Sequence, residues 1–174
     1  MKELLSKEGL TMKNIGIFGG TFNPIHVGHL IVAQEVADSM ELDKIIFIPT
    51  GDPPHKNKQE LAVAEHRYEM VRLAIKGNEK FDLSDIEIKR SGKTYTYDTL
   101  VELNKKYKDH NFYFIIGFDT LKDIDSWKKI DEVFKISKFI VVNRGNLRSE
   151  MEDEINDKKL KYESDIKMVT IPDI

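Results

Sequence analysis

Cysteine is absent from the 174 residues of this sequence. Its absence excludes disulfides, thiolate metal sites and a cysteine nucleophile, and it agrees with a reducing, cytoplasmic setting. No apolar run is long enough to cross a bilayer. Residues Met1–Met12 mix charges and lack the apolar stretch of a signal peptide, so they are read as an N-terminal extension, with residues 13–174 as a single domain. Excess positive charge is missing too: 27 Lys and Arg against 30 Asp and Glu leave a net charge of −3, which gives no broad attraction to a nucleic-acid polymer. There is no Gly-Lys-Ser/Thr and no full G-x-G-x-x-G spacing, so neither a P-loop nor the common dinucleotide fingerprint is at hand.

What is present is an alternation of short apolar runs and helical patterns. Asn14–Phe18 reads as a buried strand and Val27–Met40 as a helix, with Leu30, Ala33, Val36, Ala37 and Met40 at helical period. Lys44–Ile48 reads as a second strand stopped by Pro49, so a right-handed crossover and a parallel pair are expected. A helix follows over 61–76, with Gly77 as its stop, and then a strand over Phe81–Ile88 whose alternation slips between Leu83 and Ile86. Thr94–Leu100 leads into a helix ending near Tyr107, with Thr96 or Asp98 as its N-cap. Strands are expected at Asn111–Ile116, Lys138–Val142 and Ile166–Ile171, a short helix at Asp131–Lys135, and an exposed helix or mobile segment over Arg148–Lys161. The pattern predicts an α/β, Rossmann-like doubly wound sheet. It should be mostly parallel, with five or six strands in three layers, Asn14–Phe18 central, and the ligand cleft between that strand and Asn111–Ile116.

Chemistry concentrates in Gly19-Gly20-Thr21-Phe22-Asn23-Pro24-Ile25-His26-Val27-Gly28-His29. This is a Gly-rich turn between a buried strand and a helix, where α/β proteins hold phosphates. His26 and His29 lie three residues apart at the helix start and can project from one side of its first turn. Backbone N–H groups, the positive helix end and two imidazoles then converge on one spot suited to a polyphosphate. Other candidates sit at strand ends. Lys56, after Pro53-Pro54-His55, is read as a phosphate ligand and Lys58 as solvated. Asp119 suits either a helix cap or a ribose, Arg144 either phosphate or solvent, and Trp127 either the core or a platform for a flat ring. His66 is read as a surface histidine, and Arg67 is left open between the site and water.

Gly20-Thr21-Phe22-Asn23-Pro24-Ile25-His26-Val27-Gly28-His29 resembles the G-T-F-[DN]-P-x-H-x-G-H signature of the nucleotidyltransferase superfamily. From Met12 onward the chain resembles the bacterial nicotinate-nucleotide adenylyltransferases. Pro53-Pro54-His55-Lys56, Tyr95-Thr96-Tyr97-Asp98-Thr99 and Phe114-Ile115-Ile116-Gly117-Phe118-Asp119 with Trp127 match that family's segments in order. The resemblance implies transfer of AMP from Mg-ATP to nicotinate mononucleotide, giving nicotinate adenine dinucleotide and pyrophosphate on the route to NAD. It implies His26, His29 and Lys56 as catalytic residues. It implies Phe18, Gly19, Gly20, Thr21, His26, His29, Gly117 and Asp119 as ATP ligands. Lys56, Thr96, Trp127 and Lys128 would take the nicotinate mononucleotide, and Mg²⁺ would be held mainly by ATP phosphates. No membrane partner is expected, and a homo-oligomer is left open.

Two departures accompany the resemblance. Asn23 stands where the family often has Asp, keeping the turn and dropping a charge. The family's S-S-T-x-I-R segment would begin just past Ile174, so this chain is expected to fold but to catalyse poorly. The alternatives are a sister transferase, such as pantetheine-phosphate adenylyltransferase or a cytidylyltransferase, and a nucleotide-binding module without turnover.

Overall fold

Ile45–Ile48 and Phe139–Val142 are runs of Ile, Val and Phe in which every residue is at most 5% exposed. Burial on both faces at once is the mark of strands covered on each side, as in a parallel sheet between layers of helices. A computed structural model describes residues 12–53, 60–145 and 148–172 and has that architecture. The strands are β1 (Lys13–Gly20), β2 (Lys44–Pro49), β3 (Phe81–Leu83), β4 (His110–Gly117), β5 (Lys138–Arg144) and β6 (Ile166–Ile171). They form a six-stranded sheet in the order β3-β2-β1-β4-β5-β6, with every pair parallel. The helices are α1 (Val27–Ser39), α2 (Ala64–Ala74), α3 (Thr96–Lys106), α4 (Phe118–Asp123), α5 (Ile130–Ile136) and α6 (Arg148–Tyr162), with a 3-10 turn at Ile124–Ser126.

Each sheet face has its own core. Val32, Ala33, Val36, Ala37, Val71 and Ile75 of α1 and α2 and the residue after it pack on Ile45, Phe47, Ile115 and Ile140. Leu100, Leu103, Val133, Phe134, Met151 and Ile155 pack on Ile15, Ile17, Ile46, Phe114 and Val141. The direction in which successive strands are added across the sheet reverses between β1 and β4, which pair in parallel register from Lys13 with His110 to Ile17 with Phe114. Ligands bind at such a switch point, outside the carboxyl ends of the strands.

Several expectations are corrected. The third strand stops at Leu83, because Ser84 N–H still donates to Phe47 O (2.9 Å) but the chain then leaves the sheet in a turn. Tyr95, not Thr96 or Asp98, is the N-cap of α3, since Thr96 already lies inside the helix. Gly117 is the N-cap of α4, so Asp119 is no cap; its carboxylate pairs with Lys122 at 3.1 Å. The segment Arg148–Lys161 is a helix with buried Met151, Ile155 and Lys158 rather than an unpacked one. Lys158 Nζ meets Asp125 (2.7 Å) and Glu154 (3.2 Å), which fastens α6 to the 3-10 turn before Trp127. Arg67 is 1% exposed and turned inward, while His66 is exposed as expected.

Candidate active site

The turn after β1 folds back on itself. Phe22 takes a left-handed backbone (φ 47°), which bulky residues seldom adopt. Its ring is nevertheless buried, edge-on to His29 (5.1 Å between centroids) and to Phe18 (5.7 Å). A Cβ on Gly20 would come within 3.3 Å of that ring, so the glycine is what lets Phe22 tuck under the turn. Asn23 uses both ends of its amide: Nδ2 donates to Glu60 O (3.0 Å) and Oδ1 accepts from Ala62 N–H (3.1 Å). An Asp here could accept from Ala62 but could not donate to Glu60, so Asn does more than keep the turn.

His26 caps α1 and its ring lies 3.8 Å from that of His29. A Cβ on Gly28 would press on the His26 ring at 3.0 Å, which explains a glycine between the two histidines. His26 backbone N–H donates to His29 Nδ1 (3.1 Å). A neutral His29 that accepts at Nδ1 must carry its proton on Nε2, leaving an N–H donor for a ligand. Burial, His26 and Arg144 lower the His29 pKa from the usual 6.5 to about 4, so that neutral form prevails at pH 7.

The sign of the linked stability follows. Between pH 6.5 and 4 the unfolded chain holds a proton that folded His29 refuses, so this group's contribution is intact above 6.5 and declines as pH falls toward 4. An NMR titration of the ligand-free protein should place the His29 midpoint near 4. A midpoint at the ordinary 6.5 would show that burial and the neighbouring His26 and Arg144 do not hold the ring neutral below that pH.

The cleft above β1 and β4 has two lobes. One, of about 950 Å³, is lined by Phe18, Gly19, Gly20, Thr21, His26, His29, Gly117 and Asp119, with Thr120, Asn143, Arg144 and Met151. The other, of about 520 Å³, is lined by Thr96, Trp127 and Lys128, with Thr50, Glu87, Thr94 and Tyr95. Phe18–Thr21, Ile115–Gly117 and Thr120 line both, so the turn after β1 is the shared wall. The expected ATP residues thus gather in the first lobe and Thr96, Trp127 and Lys128 in the second. Lys56 and His55 lie outside the described residues. Trp127 is half-buried, edge-on to Phe114 (5.8 Å, 86°), and so serves the core and the lobe at once. Lys128 Nζ is committed to Asp98 (3.2 Å) and to the face of Tyr95 (4.6 Å). Burial raises the pKa of Glu87, against the pull of Thr99, whose hydroxyl donates to it at 2.8 Å, and of Arg90.

Sequence reasoning missed Asn143, Glu87 and the inward turn of Arg67, because a polar residue at a strand end or on a helix carries no mark of its burial. Asn143 is 1% exposed, and neither amide atom has a hydrogen-bond partner among the described residues. Each such unpaired atom costs about 1–3 kcal/mol. Asn143→Leu, close in shape, should therefore raise the Tm of the ligand-free protein, by about 2–4 °C per kcal/mol recovered. A lower Tm in calorimetry would show that the amide is used in the free fold.

Residues 17–169 match the cytidylyltransferase-like family. The chain is 44% identical over 164 residues to a probable nicotinate-nucleotide adenylyltransferase of Clostridium acetobutylicum, covering 94% of this chain and 82% of that one. It is 50% identical over 133 residues to a protein of the same description from Oceanobacillus iheyensis, covering 76% and 69%. Among solved structures it resembles the Plasmodium falciparum nicotinic acid mononucleotide adenylyltransferase complexed with NaAD. The TM-score is 0.76 at 28% identity, over 93% of this chain and 77% of that one.

Proposed function

Because the chain belongs to the cytidylyltransferase-like family, and within it to the nicotinate-nucleotide adenylyltransferases of NAD biosynthesis, we propose that it transfers AMP from ATP to nicotinate mononucleotide. The observation that carries this reading is the pair of lobes sharing the Gly19–Thr21 wall. ATP takes the larger lobe, with its phosphates on the turn and its ribose beside Gly117 and Asp119. The mononucleotide takes the smaller one, and its phosphate meets the ATP α-phosphorus over the shared wall.

A phosphate monoester is already a nucleophile, so no side chain need attack the α-phosphorus and carry the adenylyl group. One acceptor oxygen forms a bond to the α-phosphorus while the bond from that phosphorus to the bridging oxygen of pyrophosphate breaks. Catalysis is then alignment and stabilisation of charge. The Nε2–H of His29 donates to oxygens of the transferring group, beside His26 and the positive N-terminal end of α1. Lys56 neutralises phosphate charge.

The donor chemistry suits a magnesium ion carried by the triphosphate. His29 offers a proton and no lone pair, and Mg²⁺ keeps waters and few protein ligands. When bound, the ion offsets the negative charge of the polyphosphate. No helix among the described residues is long and apolar enough to cross a membrane.

A coupled pyrophosphate-release assay with a panel of acceptors tests the proposal. Release should depend on nicotinate mononucleotide and exceed that with 4′-phosphopantetheine. Preference for the latter, or none for either, would overturn it.

A further inference from the structure

Arg67 stands in the first half of α2 and is among the most deeply buried side chains, at 1% exposure. Its guanidinium donates to three main-chain carbonyls from three separate segments. Nη1 reaches Thr21 in the phosphate turn (2.6 Å), Nη2 reaches Gly51 in the loop leaving β2 (3.2 Å), and Nε reaches Ala62 in the segment entering α2 (2.9 Å). Asn23 grips the same segment from the other side through Glu60 and Ala62. Ala62 is thus held by its carbonyl from Arg67 and by its N–H from Asn23.

No carboxylate among the described residues hydrogen-bonds Arg67; Glu65 acts on it only through space. Burying a cation whose partners are all neutral is costly, and an apolar side chain of similar length would fill the space without that cost. Arginine stays charged even so. The carbonyl it holds most closely belongs to Thr21, on the wall shared by both lobes. A polyphosphate seated on that turn supplies the missing negative charge.

Resting on the nucleotidyl-transfer reading, we propose that Arg67 is a positioning residue. It locks the Thr21 peptide to both the chain leaving β2 and the chain entering α2, and its charge strengthens ATP binding from behind the turn.

The test uses the full chain with Arg67→Met, Arg67→Lys and Asn23→Asp. It measures kcat and both KM values, together with ATP affinity by calorimetry in the absence of acceptor. Arg67→Met should lower kcat about 10–100-fold and weaken ATP about tenfold, while the KM for the mononucleotide moves less than about threefold, since one displaced or unpaired contact at a reacting centre has effects of that order. Arg67→Lys keeps the charge but not the three-way fork. It should recover ATP affinity more than kcat. Asn23→Asp should reduce kcat several-fold, and the double variant should lose less than the product of the two single losses, because both act through Ala62. A folded Arg67→Met with unchanged kcat and ATP affinity overturns the proposal. If that variant fails to fold, unchanged kcat and ATP affinity in Arg67→Lys, which cannot hold all three carbonyls, overturn it. The ATP-binding arm needs no acceptor, so a wild type inactive toward nicotinate mononucleotide would sink the proposed function and still leave Arg67 to be judged by calorimetry.

Discussion

His29→Ala should lower kcat by about 10²–10³-fold, the usual effect of removing one preorganised donor from a charge-stabilising site. The KM for nicotinate mononucleotide should stay close to that of the wild type, because His29 lines the larger lobe and not the smaller one proposed for the acceptor. The neutral Nε2–H is fixed in direction by the His26 N–H on Nδ1, and the ring is packed against Phe22 and Phe18. It therefore needs no reorientation as charge develops at phosphorus. His26→Ala should act in the same direction but less strongly, since His26 is exposed and its ring is held chiefly by the other histidine. Deleting the His29 ring also frees the His26 N–H, so losses from the double variant should fall short of the product. Pyrophosphate release under saturating substrates decides the matter. Near-normal turnover in a His29→Ala protein of unaltered Tm would remove the residue from the mechanism.

Nicotinate mononucleotide should be favoured over its nicotinamide counterpart by about tenfold to a few hundredfold in kcat/KM, as expected for one polar group mismatched in a buried site. The two differ in one group. A carboxylate accepts on both oxygens, whereas a carboxamide must turn its own NH₂ toward one donor. The Lys128 ammonium is engaged by Asp98 and Tyr95, so selectivity falls to backbone N–H groups. Thr96 opens α3, where a helix leaves its N–H groups unbonded and its end positive. The Trp127 N–H is not available, because it donates to Ile124 O at 3.0 Å. That narrows the expected contact to Thr96 and Lys128. Lys128→Ala should keep most of the preference, and Trp127→Ala should weaken both acceptors. Glu87 lines the same lobe, where its ionised form would oppose an anionic acceptor, so Glu87→Gln should not narrow the preference. Equal kcat/KM for the two mononucleotides would dispose of this account of the pocket.

The sheet was legible in the sequence because each parallel strand is a short continuous apolar run bounded by Gly, Pro or charge. β6 matches its expected bounds, and β1 extends them by Lys13 at one end and by Gly19 and Gly20 at the other. The expected third strand runs past Leu83 because Ile86 and Ile88 continue the apolar pattern, although they lie in a turn. The histidine pair was legible from spacing alone, since three helical residues bring two rings to 3.8 Å. The tautomer of His29 was not, because it depends on a backbone bond. Arg67, Asn23 and Asn143 escaped for a shared reason: their partners, or their lack of partners, come from segments far apart in the chain. Arg67 reaches back 46 residues to Thr21.

The order of the strands also decides when the site can exist during synthesis. β1 lies between β2 and β4, and the Lys13 N–H finds its acceptor on His110, 97 residues later. At about 5–20 residues per second, a ribosome takes roughly 5–20 s to deliver that partner. Throughout this interval the His-x-Gly-His turn has been made, yet it hangs from the open rim of a half-built sheet with one side of β1 unpaired. A nascent chain halted before residue 110 should therefore hold both histidines and still fail to retain ATP, whereas one that has released β5 from the exit tunnel should retain it.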